Sequence, residues 1–249
     1  MGREIYPAMT GGMRALRSLE VLSNNLANVN TAGFKADTPV FRLHSPAGAA
    51  KYEPNTAEAR LAAAWSDLDS EATDFSQGSL ETTGNGTDLA LNGEGFFAVQ
   101  SPDGEVFLTR DGSFQVDAEG YLSNRSGLRV VGADKTAIKV PSGEFAVDNV
   151  GLIRSGERTV GTIGVFDVPD RSALIKVGGN LWSSETGDPM VPAGAEVRQF
   201  HLERSNVEPV RALTELIAVT RYYEAFKNTL NTSGELDRQL HAQVGKLDR

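Results

Sequence analysis

The sequence predicts an α+β fold: long N- and C-terminal helices packed as a coiled-coil-like rod domain, with an intervening antiparallel β domain. Three observations predict it. A three-four apolar repeat runs from Leu216 to Leu247, and a seven-residue repeat runs through residues 4 to 29. Between Asp74 and Phe200 the chain breaks instead into short apolar runs separated by turn signals.

The N-terminal repeat places Ile5, Gly12, Leu19 and Leu26 seven apart, with Met9, Leu16, Leu22 and Val29 on the same side. That spacing is the stripe of an amphipathic helix. Pro7 suits a first turn, where its missing N–H costs nothing. The Asn-rich stretch from Ser23 to Gly33 closes the helix, because Asn tolerates left-handed backbone and Gly is a natural stop. Residues 37–73 contain Pro39, Pro46 and Pro54 and are expected to form an irregular connector, with a short Ala-rich helix between Thr56 and Trp65.

In the middle of the chain, Phe96 to Val99 precedes Pro102-Asp103-Gly104, and Val106 to Leu108 precedes Asp111-Gly112. Phe114 to Val116, Tyr121-Leu122 and Leu128 to Val131 follow, divided by Glu119-Gly120 and Gly127. Strands this short, with turns every eight to twelve residues, indicate an antiparallel domain.

At the C-terminus the seam reads Leu216, Val219, Tyr223, Phe226, Leu230, Ser233, Asp237, Leu240, Val244 and Leu247, interrupted only by Ser233 and Asp237. No proline follows Pro209. A helix from Val207 to Leu247 would be roughly 60 Å long, against roughly 39 Å for the N-terminal one. The shorter helix cannot cover the whole seam, so neighbouring molecules are expected to supply the remaining surface, with both ends frayed in the monomer. The expected organisation is a discontinuous helical domain of residues 1–36 and 203–249, the connector of 37–73 and a β-rich outer domain of 74–202.

Composition bounds the function. The chain has 249 residues, 26 Gly, 10 Pro, no Cys and a net charge of -9. An acidic balance without clustered Lys and Arg argues against nucleic acid. Zero Cys excludes disulfides and thiolate chemistry. The first residues have neither a basic region nor an apolar core, so no cleaved secretory signal is expected, and no apolar run is long enough for membrane insertion. The three histidines, His44, His201 and His241, are isolated, which argues against a metal site. Asp67, Asp69, Glu71 and Asp74 start like a calcium loop, but Ala72 and Gly78 stand where such a loop needs Gly and Glu. Gly93-Glu94-Gly95 lacks the third Gly of a dinucleotide fingerprint. Trp65 and Trp182 lie in no aromatic cluster in the sequence. No catalytic, metal or cofactor residue is assigned, no cofactor is expected, and the chain is read as no enzyme.

Several stretches together resemble the bacterial flagellar basal-body rod and hook family. They are Leu22-Ser-Asn-Asn-Leu-Ala-Asn-Val-Asn-Thr-Ala-Gly-Phe-Lys35, Asp74 to Leu80, Thr83-Gly84-Asn85, Asp88 to Leu91, Gly93 to Val99, Thr109 to Phe114, Ser205-Asn206-Val207 and Arg221 to Glu224. They cover about half the chain, in the family's order. Ile5 to Met9 and Ser205 to Val210 look more like its proximal rod branch than its distal one.

The resemblance implies a structural subunit whose terminal helices pair into an inner tube domain beneath an outer β domain. It implies helical stacking into the torque-transmitting rod of the basal body in the periplasmic space. It also implies partners: other copies of the chain, other flagellar rod proteins and the flagellar type III export apparatus, which passes the chain without a cleaved signal. On this reading the assembly interface comprises Ile5, Met9, Leu16, Leu19, Leu22, Asn24, Asn25, Leu26, Asn28, Val29 and Phe34 near the N-terminus. Near the C-terminus it comprises Leu216, Val219, Tyr223, Phe226, Leu230, Leu240, Val244 and Leu247. The asparagines have two readings, local capping or bonding across subunits, and Leu213, Ile217, Tyr222 and Phe226 are equally candidates for intramolecular core. The rivals are a distal rod or hook subunit, a β module binding cell wall or carbohydrate, and a secreted hydrolase.

Overall fold

A computed structural model describes residues 5–44, 65–141, 145–184 and 191–247. The chain divides into two compact units, one built from residues 1–27, 37–73 and 208–249, the other from residues 28–36 and 74–207.

The first unit holds helix α1 (Ile5–Ala27), strands β1 (Asp37–His44) and β2 (Trp65–Thr73), and helix α2 (Pro209–Leu247). Pro7 lies in the first turn of α1, and the turn of Asn28 to Asn30 ends it. Pro209 opens α2 with its φ already helical, and the Glu208 carbonyl accepts the Ala212 N–H at 2.9 Å. Thr214, Thr220, Thr229 and Thr232 return their hydroxyls to the carbonyls four residues earlier at 2.8–3.0 Å, leaving this weakly amphipathic helix self-satisfied. The two helices meet where Gly11 and Gly12 make room. A Cβ at Gly12 would lie 2.6 Å from the Phe226 ring, and one at Gly11 would touch the Tyr222 hydroxyl.

Residues 37–44 and 65–73, expected to be irregular connector, pair instead as an antiparallel hairpin with a bulge between Val40 and Phe41. Pro39 is tolerated because a two-stranded ribbon leaves each strand one edge without a ladder partner. Arg17 on α1 reaches Glu71 on β2 at 2.5 Å. The expected short helix between Thr56 and Trp65 lies outside the described residues except for Trp65, which begins β2 instead.

The expected fold class is corrected. Among the described residues the chain is predominantly β, with eighteen strands and two α-helices, and the terminal helices do not pack as a coiled-coil-like rod. A coiled coil needs a bulky knob at each seam position of both helices. Here α1 has 23 residues and sets Gly11 and Gly12, which carry no knob, against Tyr222 and Phe226. Seam residue Leu230 is exposed, as are Leu213 and Ile217.

The second unit holds β3 (Leu80–Thr82), β4 (Leu89–Asn92), β5 (Phe96–Gln100), β6 (Val106–Thr109), β7 (Gln115–Val116), β8 (Leu122–Ser123) and β9 (Arg129–Val130). Then come β10 (Ala146–Val147), β11 (Leu152–Ser155), β12 (Arg158–Thr162), β13 (Val165–Asp167), β14 (Leu174–Gly178), β15 (Leu181–Ser184), β16 (Val191–Pro192), β17 (Glu196–Gln199) and β18 (His201–Glu203). The largest sheet runs β14-β15-β6-β5-β9-β8-β7, with β13 pairing both β5 and β16. Strands β10-β11-β12, β17-β4 and β18-β3 form smaller sheets. Every pairing between named strands is antiparallel, as the turn-rich pattern predicts.

Three turns share one construction. Asp117, Asn124 and Asp148 each accept two backbone N–H groups through Oδ1, and the Gly three residues on takes a positive φ. Strand β5 is the centre of the unit because its alternating side chains feed two cores. Phe97 and Val99 pack with Leu89, Leu91, Val130 and Ile163, while Phe96 and Ala98 pack with Leu108, Phe166 and Trp182. Trp182 is fully buried against Phe75 and Phe96, and the Trp65 side chain lies outside the described residues.

Candidate functional site

The motif after α1 is the most densely bonded part of the second unit. Gly33 has φ +66°, and a Cβ there would overlap the backbone of Arg110 and Asp111, so only Gly lets the segment lie this close. Its N–H donates to the Glu203 carbonyl at 2.8 Å. Phe34 is buried next to it, with the Lys176 ammonium 4.3 Å from its ring centre. The Asn180 amide donates to the Ala32 carbonyl at 2.9 Å.

Lys35 follows, 0% exposed, and donates to Glu203 Oε1 at 2.6 Å and to the Ser76 carbonyl at 2.7 Å. Glu203, 1% exposed, also accepts the Gly78 N–H at 2.9 Å and Arg110 Nη1 at 3.2 Å. Arg110 itself is 3% exposed and donates through Nη2 to the Gly93 carbonyl. Burial pushes both the Lys35 ammonium and the Arg110 guanidinium below their usual pKa, and the Glu203 charge acts against that shift. Asn206 completes the arrangement: its oxygen accepts the Ala36 N–H and its amide donates to the Asp74 carbonyl, both at 2.8 Å.

In the first unit, Asn25 is buried in α1, and both polar atoms of its amide are used. Nδ2 donates to the Asp37 carbonyl at 2.8 Å and Oδ1 accepts the Asp37 N–H at 3.0 Å. Asn24 is exposed on α1, whereas Asn28 lies in the closing turn, where its side-chain oxygen accepts the Thr31 hydroxyl at 3.1 Å.

Of the residues expected at an assembly interface, Leu16 and Leu230 are exposed. Leu19, Leu22, Leu26, Val29, Leu216, Val219, Tyr223 and Phe226 are half-buried. Phe34 is inside the second unit's own packing, so its ring is not available to a neighbour. The side chains of Ile5, Met9, Leu240, Val244 and Leu247 lie outside the described residues. Val210, Leu213, Ile217 and Tyr222 are exposed, with Val210 at 79%. Position by position at 100° per residue, Val210, Leu213 and Ile217 share the side of α2 opposite Ala212, Val219 and Tyr223.

Sequence reasoning did not find Lys35, Arg110 and Glu203 as a group. Their separations of 168 and 93 residues leave no periodic signal, and only Lys35 and Arg110 lie within the stretches that resemble the family. No group of acidic and histidine side chains that could hold a metal ion occurs among the described residues, and no described helix is long and apolar enough to cross a membrane. Trp182 is buried and has no face open for stacking on a sugar.

Three family models match the chain: "Flagella basal body rod protein" over residues 5–35, "Flagellar hook protein FlgE/F/G D1 domain" over 90–159, and "Flagellar basal body rod FlgEFG protein C-terminal" over 198–242. The flagellar basal-body rod protein FlgF of Caulobacter vibrioides is 34% identical, with both chains covered completely. The rod protein FlgG of Buchnera aphidicola subsp. Schizaphis graminum is 30% identical over 90% of this chain and 92% of its own. That of Bacillus subtilis is 28% identical over 96% and 98%. The matched segments contain both α1 with its closing motif and most of α2. The chain belongs to the flagellar basal-body rod protein family, FlgF-like, and is a structural subunit of the rod in the flagellar basal body.

Proposed function

We propose that the subunit joins the rod by burying apolar side chains of its helical unit against neighbouring subunits, both other copies of the chain and other rod proteins. The observation that carries this reading is the apolar surface of α2 and α1 that the subunit does not bury itself: Val210, Leu213, Ile217, Leu230 and Leu16. Leucine, isoleucine and valine side chains each contribute about 1.5–3 kcal/mol when moved from water into a packed contact. A surface used in this way is heterologous, different on its two sides, as an open helical stack requires. The half-buried residues Leu216, Val219, Tyr223 and Phe226 lie on the other side of α2 and offer a second contact there. The place of the subunit is the proximal part of the rod, as the resemblance of Ile5 to Met9 and Ser205 to Val210 implies. Delivery is through the flagellar type III export apparatus, and rotation of the rod carries torque through this packing.

The double substitution Leu16→Asp with Leu230→Asp tests the reading. The purified variant is expected to keep the far-ultraviolet circular dichroism of the parent, while cells carrying it build no complete basal bodies and do not swim. Normal basal bodies in electron micrographs of that strain would overturn it.

A further inference from the structure

Glu203 is the single anion in a sealed group with two cations. Its carboxylate takes hydrogen bonds from Lys35, Gly78 and Arg110, and its backbone carbonyl takes one from Gly33. Removing one partner from a buried ionic group leaves the others desolvated and uncompensated, which is far costlier than losing an exposed ion pair. Every one of these four partners precedes Glu203 in the chain. The same is true of the neighbouring ties: β18 pairs with β3, and Asn206 holds Ala36 and Asp74. The two cores built on β5 include no side chain from residues 28–36 or 76–79, although Phe75 just before them packs on the second core.

We infer that Glu203 is a latch: it fastens residues 28–36 and 76–79 onto a sheet whose two apolar cores are built without their side chains, and it does so only when β18 has been delivered. A chain held short of residue 203 has both cations and no anion to seal them, so its entry segment stays open while the sheet forms. Fastening then happens in one step, because one carboxylate closes three contacts. The usefulness of an open entry segment during passage of the chain rests on the export reading above, but the latch itself is a property of the folded subunit.

Hydrogen exchange on the full-length chain tests it without any transport step. In Glu203→Gln, the amides of Gly33 and Gly78 are expected to exchange at least tenfold faster than in the parent, with those of Ala98 and Val131 within threefold of it. Equal acceleration at all four positions would mean general destabilisation and would overturn the latch, as would no change at Gly33 and Gly78. Should Glu203→Gln fail to fold, the double variant Lys35→Met with Glu203→Gln removes one stranded cation. It is expected to recover a protected sheet with Gly33 and Gly78 still exchanging fast, and a double variant that also lacks a protected sheet would overturn the inference. Fast exchange at Gly33 and Gly78 as expected, with the parent chain not secreted by the export apparatus, would support the latch and overturn only the export reading.

Discussion

The helical unit and the β unit differ in what they bury and in how they line up what they leave in water. The β unit buries even its charges: Lys35, Arg110 and Glu203 are sealed within it, and each is hydrogen-bonded. The helical unit leaves Val210 and Leu213 in water although both are apolar. Both units expose apolar side chains, Val150 and Val177 in the β unit among them, so what distinguishes the helical unit is that Val210, Leu213 and Ile217 share one side of a helix. On the function proposed above, the difference separates the part of the subunit that sets its own shape from the part that meets its neighbours.

That contrast can be broken most directly in the core of β5. Phe97→Ala is expected to cost about 3–5 kcal/mol of unfolding free energy, read from the denaturant midpoint, since Phe97 is fully buried and packs edge-on against Phe114. Next comes a glycine pair. A Cβ at Gly112 would overlap the Leu89 carbonyl oxygen, so Gly112→Ala is expected to cost about 3 kcal/mol. A Cβ at Gly234, within α2, meets nothing within 4 Å, and Gly234→Ala is expected to stabilise by up to about 1 kcal/mol. Equal effects at the two sites would erase the distinction between the units.

Leu213→Ala with Ile217→Ala sharpens the comparison from the other side. The monomer is expected to stay within about 0.5 kcal/mol of the parent, because both side chains are exposed, while swarming on soft agar is lost. The smallest effect concerns acid. Burial raises the Asp167 carboxyl pKa, but hydrogen bonds from Arg171 and the Val168 N–H outweigh it and hold the pKa below the ordinary 3.8. Asp117 is held low mainly by the Tyr121 N–H, and Asp170 by the Ser172 hydroxyl. Carboxyls depressed in the folded state add stability that is full above the ordinary value and disappears as pH falls through the lower folded values. Near-ultraviolet circular dichroism of the β unit is therefore expected to hold down to about pH 4 and fade below it, with Arg171→Gln narrowing the change.

Much of the fold was legible because its cues are local. Pro7 and Asn28 mark the ends of α1, Pro209 marks the start of α2, and the Asp-Gly and Pro-Asp-Gly turns mark the strands around β5. What misled was treating the three-four and seven-residue repeats as evidence that the two terminal helices pack as a coiled coil. The three-four repeat reports which side of α2 is apolar, but not that Gly11 and Gly12 face it or that a hairpin occupies residues 37–44 and 65–73. The hairpin hid because its two strands are separated by a long segment with Pro46 and Pro54, with no two-residue turn to announce it. For the proposed contact surface, spacing traced a seam that includes exposed Leu230, whereas exposed Val210, Leu213 and Ile217 lie off it. Spacing could not trace the ionic group, because Lys35 and Glu203 are joined only by the completed fold.

The amide of Asn25 has a consequence for what position 25 can hold. It meets the Asp37 backbone with a donor and an acceptor at once, copying the exchange between paired residues of a sheet. Aspartate would keep the acceptor and turn the donor into a negative charge facing a carbonyl, and glutamine would overreach by one methylene. The helix thus addresses the hairpin through a side chain for which no chemical synonym exists among the twenty amino acids.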